Sequence, residues 1–138
     1  NAAFGLLQLK YVGTAIERRG EIDSIYREAL KDVPGIKVVE KMGQKVSNYS
    51  YFPILVQADY PLTRDGLYQK LKENNVFARR YFYPLISEFP MYRFLPSVKP
   101  DNLLEATVSA QQILCMPIYP ALESNEIEMI VALIKEMA

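Results

Sequence analysis

Arg79-Arg80-Tyr81-Phe82-Tyr83-Pro84-Leu85 is the stretch of this sequence best equipped for chemistry, and Ile86-Ser87-Glu88-Phe89-Pro90-Met91-Tyr92 follows it directly. Two guanidiniums lead into a run of aromatic rings, and prolines then break regular structure. Guanidiniums bind anions, ring faces bind flat or sugar-like groups, and a fixed turn can present both on one wall of a cleft. The plainer reading of the same residues is a core strand over 76–83 whose rings simply pack. Alternation along such a strand puts Tyr81 and Tyr83 on one face, so the two line a cleft together or pack together.

Other chemistries are excluded by what the chain lacks. It has no histidine, which removes the commonest general base and every Ser-His or Cys-His device. One cysteine, Cys115, cannot form an internal disulfide, and a Cys/His zinc site is impossible. Cys115 reads as an inert core thiol. A single cysteine fits a reducing compartment, so a cytoplasmic location is expected. The 16 basic residues balance 16 acidic ones, which argues against a nucleic-acid partner. No apolar run approaches the roughly 20 residues that span a bilayer, and no signal peptide is evident, so no membrane partner is expected either. With 138 residues, half of them hydrophobic, the chain suits one domain with a buried core.

The elements that must position the tract follow from periodicity. Residues 2–31 read as one long amphipathic helix, with apolar positions at Ala2, Leu6, Leu9, Val12, Ile16, Ile22, Ile25, Tyr26, Ala29 and Leu30. It would be about 45 Å long and suits a connection between two bodies. Arg19, Asp23 and Arg27 stand four apart on its exposed face. Val33-Pro34-Gly35 stops it. The chain thus divides into a connecting helix, 1–34, and an α/β body, 35–138. The apolar start, with only Asn1 as a cap, reads as a piece of something longer.

Strands are expected at 36–39, at 48–58 with Pro53 marking a bulge or an edge, at 76–83, and at 113–116. Residues 41–47 read as a polar loop around Gly43. Asn48 and Tyr49 read as turn residues that could also meet a ligand. Thr63 caps a helix whose inner stripe is Leu67, Tyr68 and Leu71 and whose end is Asn74-Asn75. Residues 84–99 form a proline-rich loop, long enough to suggest function. A third helix runs from Pro100 to about Gln112. Ser124 caps the last, with a stripe at Ile127, Ile130, Val131 and Ile134. The fold class is α/β, a two-layer α+β sandwich in which helices cover a small, mostly antiparallel sheet.

Six pieces of this chain, in order, resemble the C-terminal part of the DegT/StrS family of pyridoxal-phosphate-dependent sugar aminotransferases. They are Ala2–Leu9, Glu17-Arg18-Arg19, Asn48-Tyr49-Ser50-Tyr51-Phe52-Pro53-Ile54, Thr63-Arg64-Asp65-Gly66-Leu67-Tyr68, Arg79–Leu85 and Ile113–Pro120. No one piece is specific; the ordered set is. The resemblance implies the small C-terminal domain of a fold-type-I aminotransferase. The large domain would carry the Schiff-base lysine, the carboxylate for the pyridinium nitrogen and most of the phosphate cup. No catalytic or cofactor-binding residue is then expected here, and pyridoxal 5′-phosphate would be held outside the chain. Lys10, Lys31, Lys37, Lys41, Lys45, Lys70, Lys72, Lys99 and Lys135 would not be the catalytic lysine.

The resemblance further implies that Arg79, Arg80, Tyr81 and Tyr83 face the substrate across a cleft completed by a homodimer. Arg79 would bind the amino donor's carboxylate or the sugar nucleotide's phosphates, the plainer alternative being a structural ion pair. Arg80 is expected to be solvent-exposed. Relatives often carry histidine in this tract; without it, a positioning role is expected. The implied activity moves an amino group from glutamate or glutamine to a keto-deoxysugar nucleotide, for cell-surface polysaccharide, lipopolysaccharide or deoxysugar biosynthesis, and the fragment alone would be inactive. The alternatives are a sugar-nucleotide dehydratase of the same family and a non-catalytic α/β interaction domain. RNA binding by a sheet with exposed aromatics is a weaker fourth.

Overall fold

The structure, a computed structural model, describes residues 2–40, 43 and 47–138. The expected cap at Asn1 and most of the expected loop at 41–47 lie outside them. Three short strands form one antiparallel sheet in the order β1 (Ile36–Val38), β2 (Phe52–Val56), β3 (Ile113–Met116). The register sets Lys37 opposite Leu55 and Pro53 opposite Cys115. Phe52, Ile54, Val56, Leu114 and Met116 supply the sheet's share of the core. Against them pack α2 (Val12–Leu30) through Ile22, Tyr26 and Leu30, α3 (Arg64–Glu73) through Leu67 and Leu71, and α5 (Ser124–Lys135) through Ile127, Ile130, Val131 and Ile134. The expected α5 stripe is buried throughout. The opposite face, with Pro53 and Leu55, is half-buried, and α4 (Leu104–Gln112) lies against β2. The two-layer expectation holds.

The structure corrects several expectations. Residues 2–31 are two helices, α1 (Ala2–Leu9) and α2. Between them, Lys10 and Tyr11 donate three residues back, at 3.2 and 3.0 Å, tightening the turn. Tyr11, Val12 and Gly13 are weak helix formers, and α1 buries no residue whose packing would hold the two in line. Asp23 does not sit on an exposed face. It is buried and pairs with Arg27 at 2.9 Å. The strand expected at 48–58 is confined to Phe52–Val56 because the residues before it are turned: Tyr49 has φ 48°, and Ser50 N–H donates to Asn48 Oδ1. Pro53 is in the central strand, not at an edge. Its carbonyl accepts from Val39 N–H, and the Val39 carbonyl, which a proline cannot serve, accepts from Arg27 Nη1 at 2.9 Å.

The third helix starts at Leu104, not Pro100, after a separate 3-10 turn at Pro100–Asn102. The loop at 84–99 also holds 3-10 turns, at Ile86–Glu88 and Pro96–Val98. The cap of α5 is Glu123, not Ser124. Its N–H donates to Glu126 at 2.8 Å, because a glutamate three residues on reaches back where Ser124 is already helical. Thr63 caps α3 as expected, accepting from Gly66 N–H. That helix ends with Asn75 at φ 60°, and Val76 N–H donates to Leu71 O at 2.9 Å. This is a Schellman closure, which fixes the direction in which the chain enters the arginine tract.

The interior holds its acidic hydroxyls and thiol in the protonated form. Burial pushes Tyr26 up, Tyr60 up to about 12 and Cys115 up to about 11. Tyr60 also donates to Ile134 O at 2.7 Å. The unfolded chain releases these protons at lower pH, near the ordinary 8.5 for Cys and 10 for Tyr. The stability they contribute is therefore full below about pH 8.5 and is lost as pH rises toward 11–12, with a slope of at most about 1.4 kcal/mol per pH unit per group. Urea unfolding at pH 7, 9 and 10.5 should show a midpoint that holds and then falls; a flat profile would contradict these assignments.

Candidate functional site

The expected strand at 76–83 is a single bridge. Arg79 N–H donates to Cys115 O at 2.9 Å, and Cys115 N–H donates to Arg79 O at 2.8 Å. Beyond that pair the chain turns at Tyr81-Phe82, so strand alternation does not relate Tyr81 to Tyr83. A lone bridge still fixes the Arg79 backbone to β3. Directly opposed residues share a face, so Arg79 stands with Cys115 and Pro53 on the side away from the main core. Its side chain is exposed. Among the described residues no carboxylate lies within ion-pair distance of it. The ion-pair expectation for Arg79 is therefore not met.

Arg80 departs from its expectation in the other direction. It is half-buried, donates from Nη1 to Asp65 Oδ1 at 3.3 Å, and lies 4.8 Å from the Tyr68 ring centroid and 4.4 Å from that of Tyr83. Ring faces and a carboxylate stabilise a guanidinium better than a free surface does, which draws the side chain in.

The four expected site residues come together. Tyr51, Tyr68, Ala78, Arg79, Arg80, Tyr81, Phe82 and Tyr83 line one cleft of about 380 Å³. Tyr51 and Tyr81 hold their ring centroids 4.9 Å apart, and Tyr81 stacks on Phe82 at 4.0 Å. A second groove of about 280 Å³ continues past Tyr51 and Arg79 to Cys115 and Tyr119. The Cys115 thiol behaves as expected: it is buried and pushed up by burial, although the Arg79 charge draws it part of the way down. Asn48 serves a turn, as expected. Tyr49 covers Gly20 of α2, where an added Cβ would lie 3.1 Å from the ring.

Sequence reasoning missed Tyr51, Tyr68 and, above all, Arg64. The Arg64 guanidinium is buried beside Asp65 and lies 5.1 Å from the Tyr83 ring centroid. One signal was available. A cation in the first turn of a helix faces the positive end of the dipole, so it needs other partners.

The cleft does not fit pyridoxal phosphate by itself. Its lining offers no primary amine for an aldehyde and no carboxylate for a pyridinium nitrogen. Every described lysine is exposed except Lys70, which is half-buried on α3. Among the described residues no His, Cys, Asp or Glu group could hold a metal, and no helix is long and apolar enough to cross a membrane. What the cleft offers is one unpaired guanidinium on a fixed backbone, beside a pair of rings. That combination can hold an anion and a flat group next to it.

A family model described as the DegT/DnrJ/EryC1/StrS aminotransferase family matches residues 1–135. A dTDP-4-amino-4,6-dideoxy-D-glucose transaminase of Shigella dysenteriae is 47% identical over 137 residues, covering 99% of this chain and 37% of its own length. A protein of the same name from Escherichia coli is 50% identical over 125 residues, covering 91% of this chain and 34% of its own. The chain thus spans about a third of the relatives it matches. Among solved structures, DesI in the presence of its TDP-sugar product superposes with a TM-score of 0.82 at 26% identity, over 98% of this chain and 34% of DesI.

Proposed function

The chain belongs to the DegT/DnrJ/EryC1/StrS aminotransferase family, and from that premise we propose that it is the small C-terminal domain of a sugar-nucleotide aminotransferase. The parent replaces the keto oxygen of a dTDP-linked 4-keto-6-deoxy sugar with an amino group drawn from glutamate or glutamine. Support for this substrate class comes from the two transaminases that share about half of their matched residues with the chain. Pyridoxal phosphate supplies the electron sink for such chemistry. It is held by the part of the parent outside these residues, in agreement with a cleft that lacks both amine and carboxylate. α1 and the first turns of α2, which are mostly exposed, connect the α/β body to that part. The parent works as a cytoplasmic homodimer and feeds lipopolysaccharide or deoxysugar synthesis.

In this reading the chain's own residues bind and orient. Arg79 takes an anionic group of the substrate, because it is the guanidinium of the tract left without a carboxylate. Tyr51 and Tyr81 form a wall against which the substrate rests, and Arg80 holds Tyr68 and Tyr83 in the same lining. The single observation that carries the reading is Arg79, pinned through both backbone groups to Cys115 and free at its side chain.

The test is an NMR titration of the 138-residue chain with thymidine diphosphate. Amide shifts should concentrate at residues 51 and 78–83 and disappear in Arg79→Met. Shifts elsewhere, or none at millimolar nucleotide, would contradict the assignment.

A further inference from the structure

We propose, resting on the reading above, that Arg64 is a positioning residue. With Asp65 it clamps Tyr83 and Arg80 and so sets the shape of the cleft beside Arg79. The Tyr83 ring meets two guanidiniums, with Arg64 5.1 Å and Arg80 4.4 Å from its centroid. One carboxylate serves both cations. Asp65 Oδ1 is 2.9 Å from Arg64 Nε, an ion pair without hydrogen-bond geometry, and accepts from Arg80 at 3.3 Å.

The burial of the pair is lopsided. The Arg64 side chain is 4% exposed and that of Asp65 is 55% exposed. A charge so deep, in the first turn of α3 where the helix dipole disfavours a cation, stays only if other partners hold it. Those partners are the Asp65 carboxylate, the Tyr83 ring and a long bond from Nη1 to Ile113 O at 3.4 Å. Arg64 therefore links the start of β3, the start of α3 and the turn after Arg80. Arg64 and Arg80 share the Asp65 carboxylate and the Tyr83 ring, so the position of Arg64 constrains both the ring and Arg80. Arg64 does not line the cleft, so it acts on a ligand there through Tyr83 and Arg80.

The test labels the ten tyrosines with 3-fluorotyrosine and reads them by ¹⁹F NMR, with Tyr83→Phe, Tyr68→Phe and Tyr60→Phe each assigning one resonance. Two variants are compared with the unmodified chain, Asp65→Asn and Arg64→Lys. Asp65 is more than half exposed, so its isosteric amide leaves no cavity, and the Tyr83 ring and Ile113 O still hold Arg64; urea unfolding of both variants checks the fold. In Asp65→Asn the Tyr83 resonance should move or broaden, together with that of Tyr68, while tyrosines remote from the clamp such as Tyr60 hold still. Thymidine diphosphate affinity should weaken about tenfold. A Tyr83 resonance indifferent to Asp65→Asn, or one that moves while affinity stays the same, overturns the clamp. A wild-type chain that does not bind thymidine diphosphate overturns the functional reading instead, and the Tyr83 resonance still decides the clamp.

Discussion

Replacing Arg79 with methionine should cost the full-length parent about 10²–10³ in kcat/KM for its sugar nucleotide, and should leave the stability of the chain almost unchanged. The loss follows from removing a charge-assisted contact to an anion in a partly enclosed cleft, about 3–4 kcal/mol. The unchanged stability follows from the structure. The bonds that hold residue 79 are backbone bonds to Cys115, and methionine keeps them. Arg79→Lys should recover only part of the activity, because an ammonium does not present a planar fork. Arg80→Met should behave differently. It breaks an ion pair and two ring contacts, so it should lower stability as well as activity. Steady-state kinetics beside urea unfolding of all three variants separates these outcomes. Arg79→Met at wild-type activity, or with a stability loss above about 1 kcal/mol, would contradict the assigned role.

Gly35→Ala should lower stability more than any of the arginine variants above. Gly35 sits at φ +72°, and a Cβ there would lie 2.2 Å from the backbone nitrogen of Tyr60 and 2.4 Å from its Cα. The left-handed conformation costs a residue with a side chain about 1–2 kcal/mol, and forcing backbone apart costs about 1–3 more. Neither neighbour can yield cheaply. The Gly35 carbonyl accepts from Gln57 N–H at 2.8 Å, and the Tyr60 hydroxyl is tied to Ile134 O. The urea midpoint should fall by about 1–3 M. A change under 0.3 M would mean that the turn between α2 and β1 is not built as described.

The sequence made the core legible and the site only partly so. Ile127, Ile130, Val131 and Ile134 were readable because the period of a helix leaves few other faces to bury. Strand 113–116 was readable as a short apolar run between a helix and prolines. Thr63 and Asn74-Asn75 were readable because cap chemistry is local. The tract at 76–83 was not, because strand-forming residue types do not say whether a neighbour exists to pair with. Only Arg79 finds one, at Cys115. Arg64 was hidden for a related reason. Its burial depends on Tyr83 and Ile113, which are distant in sequence, and only the start of α3 was visible nearby. The break at Lys10-Tyr11 was missed because apolar spacing continues through it, while α1 buries none of its residues among the described ones.

The central claim is that this chain is part of an enzyme that aminates a dTDP-linked keto sugar. The most direct measurement uses the full-length protein that carries it, purified with pyridoxal phosphate. It is given a dTDP-4-keto-6-deoxyhexose with glutamate, and the nucleotide sugar is read by mass spectrometry with and without ¹⁵N-labelled donor. The account predicts a product in which nitrogen from glutamate has replaced the keto oxygen, with 2-oxoglutarate formed in equal amount. Recovery of unchanged keto sugar, or of a product that has lost a hydroxyl without gaining nitrogen, would contradict it.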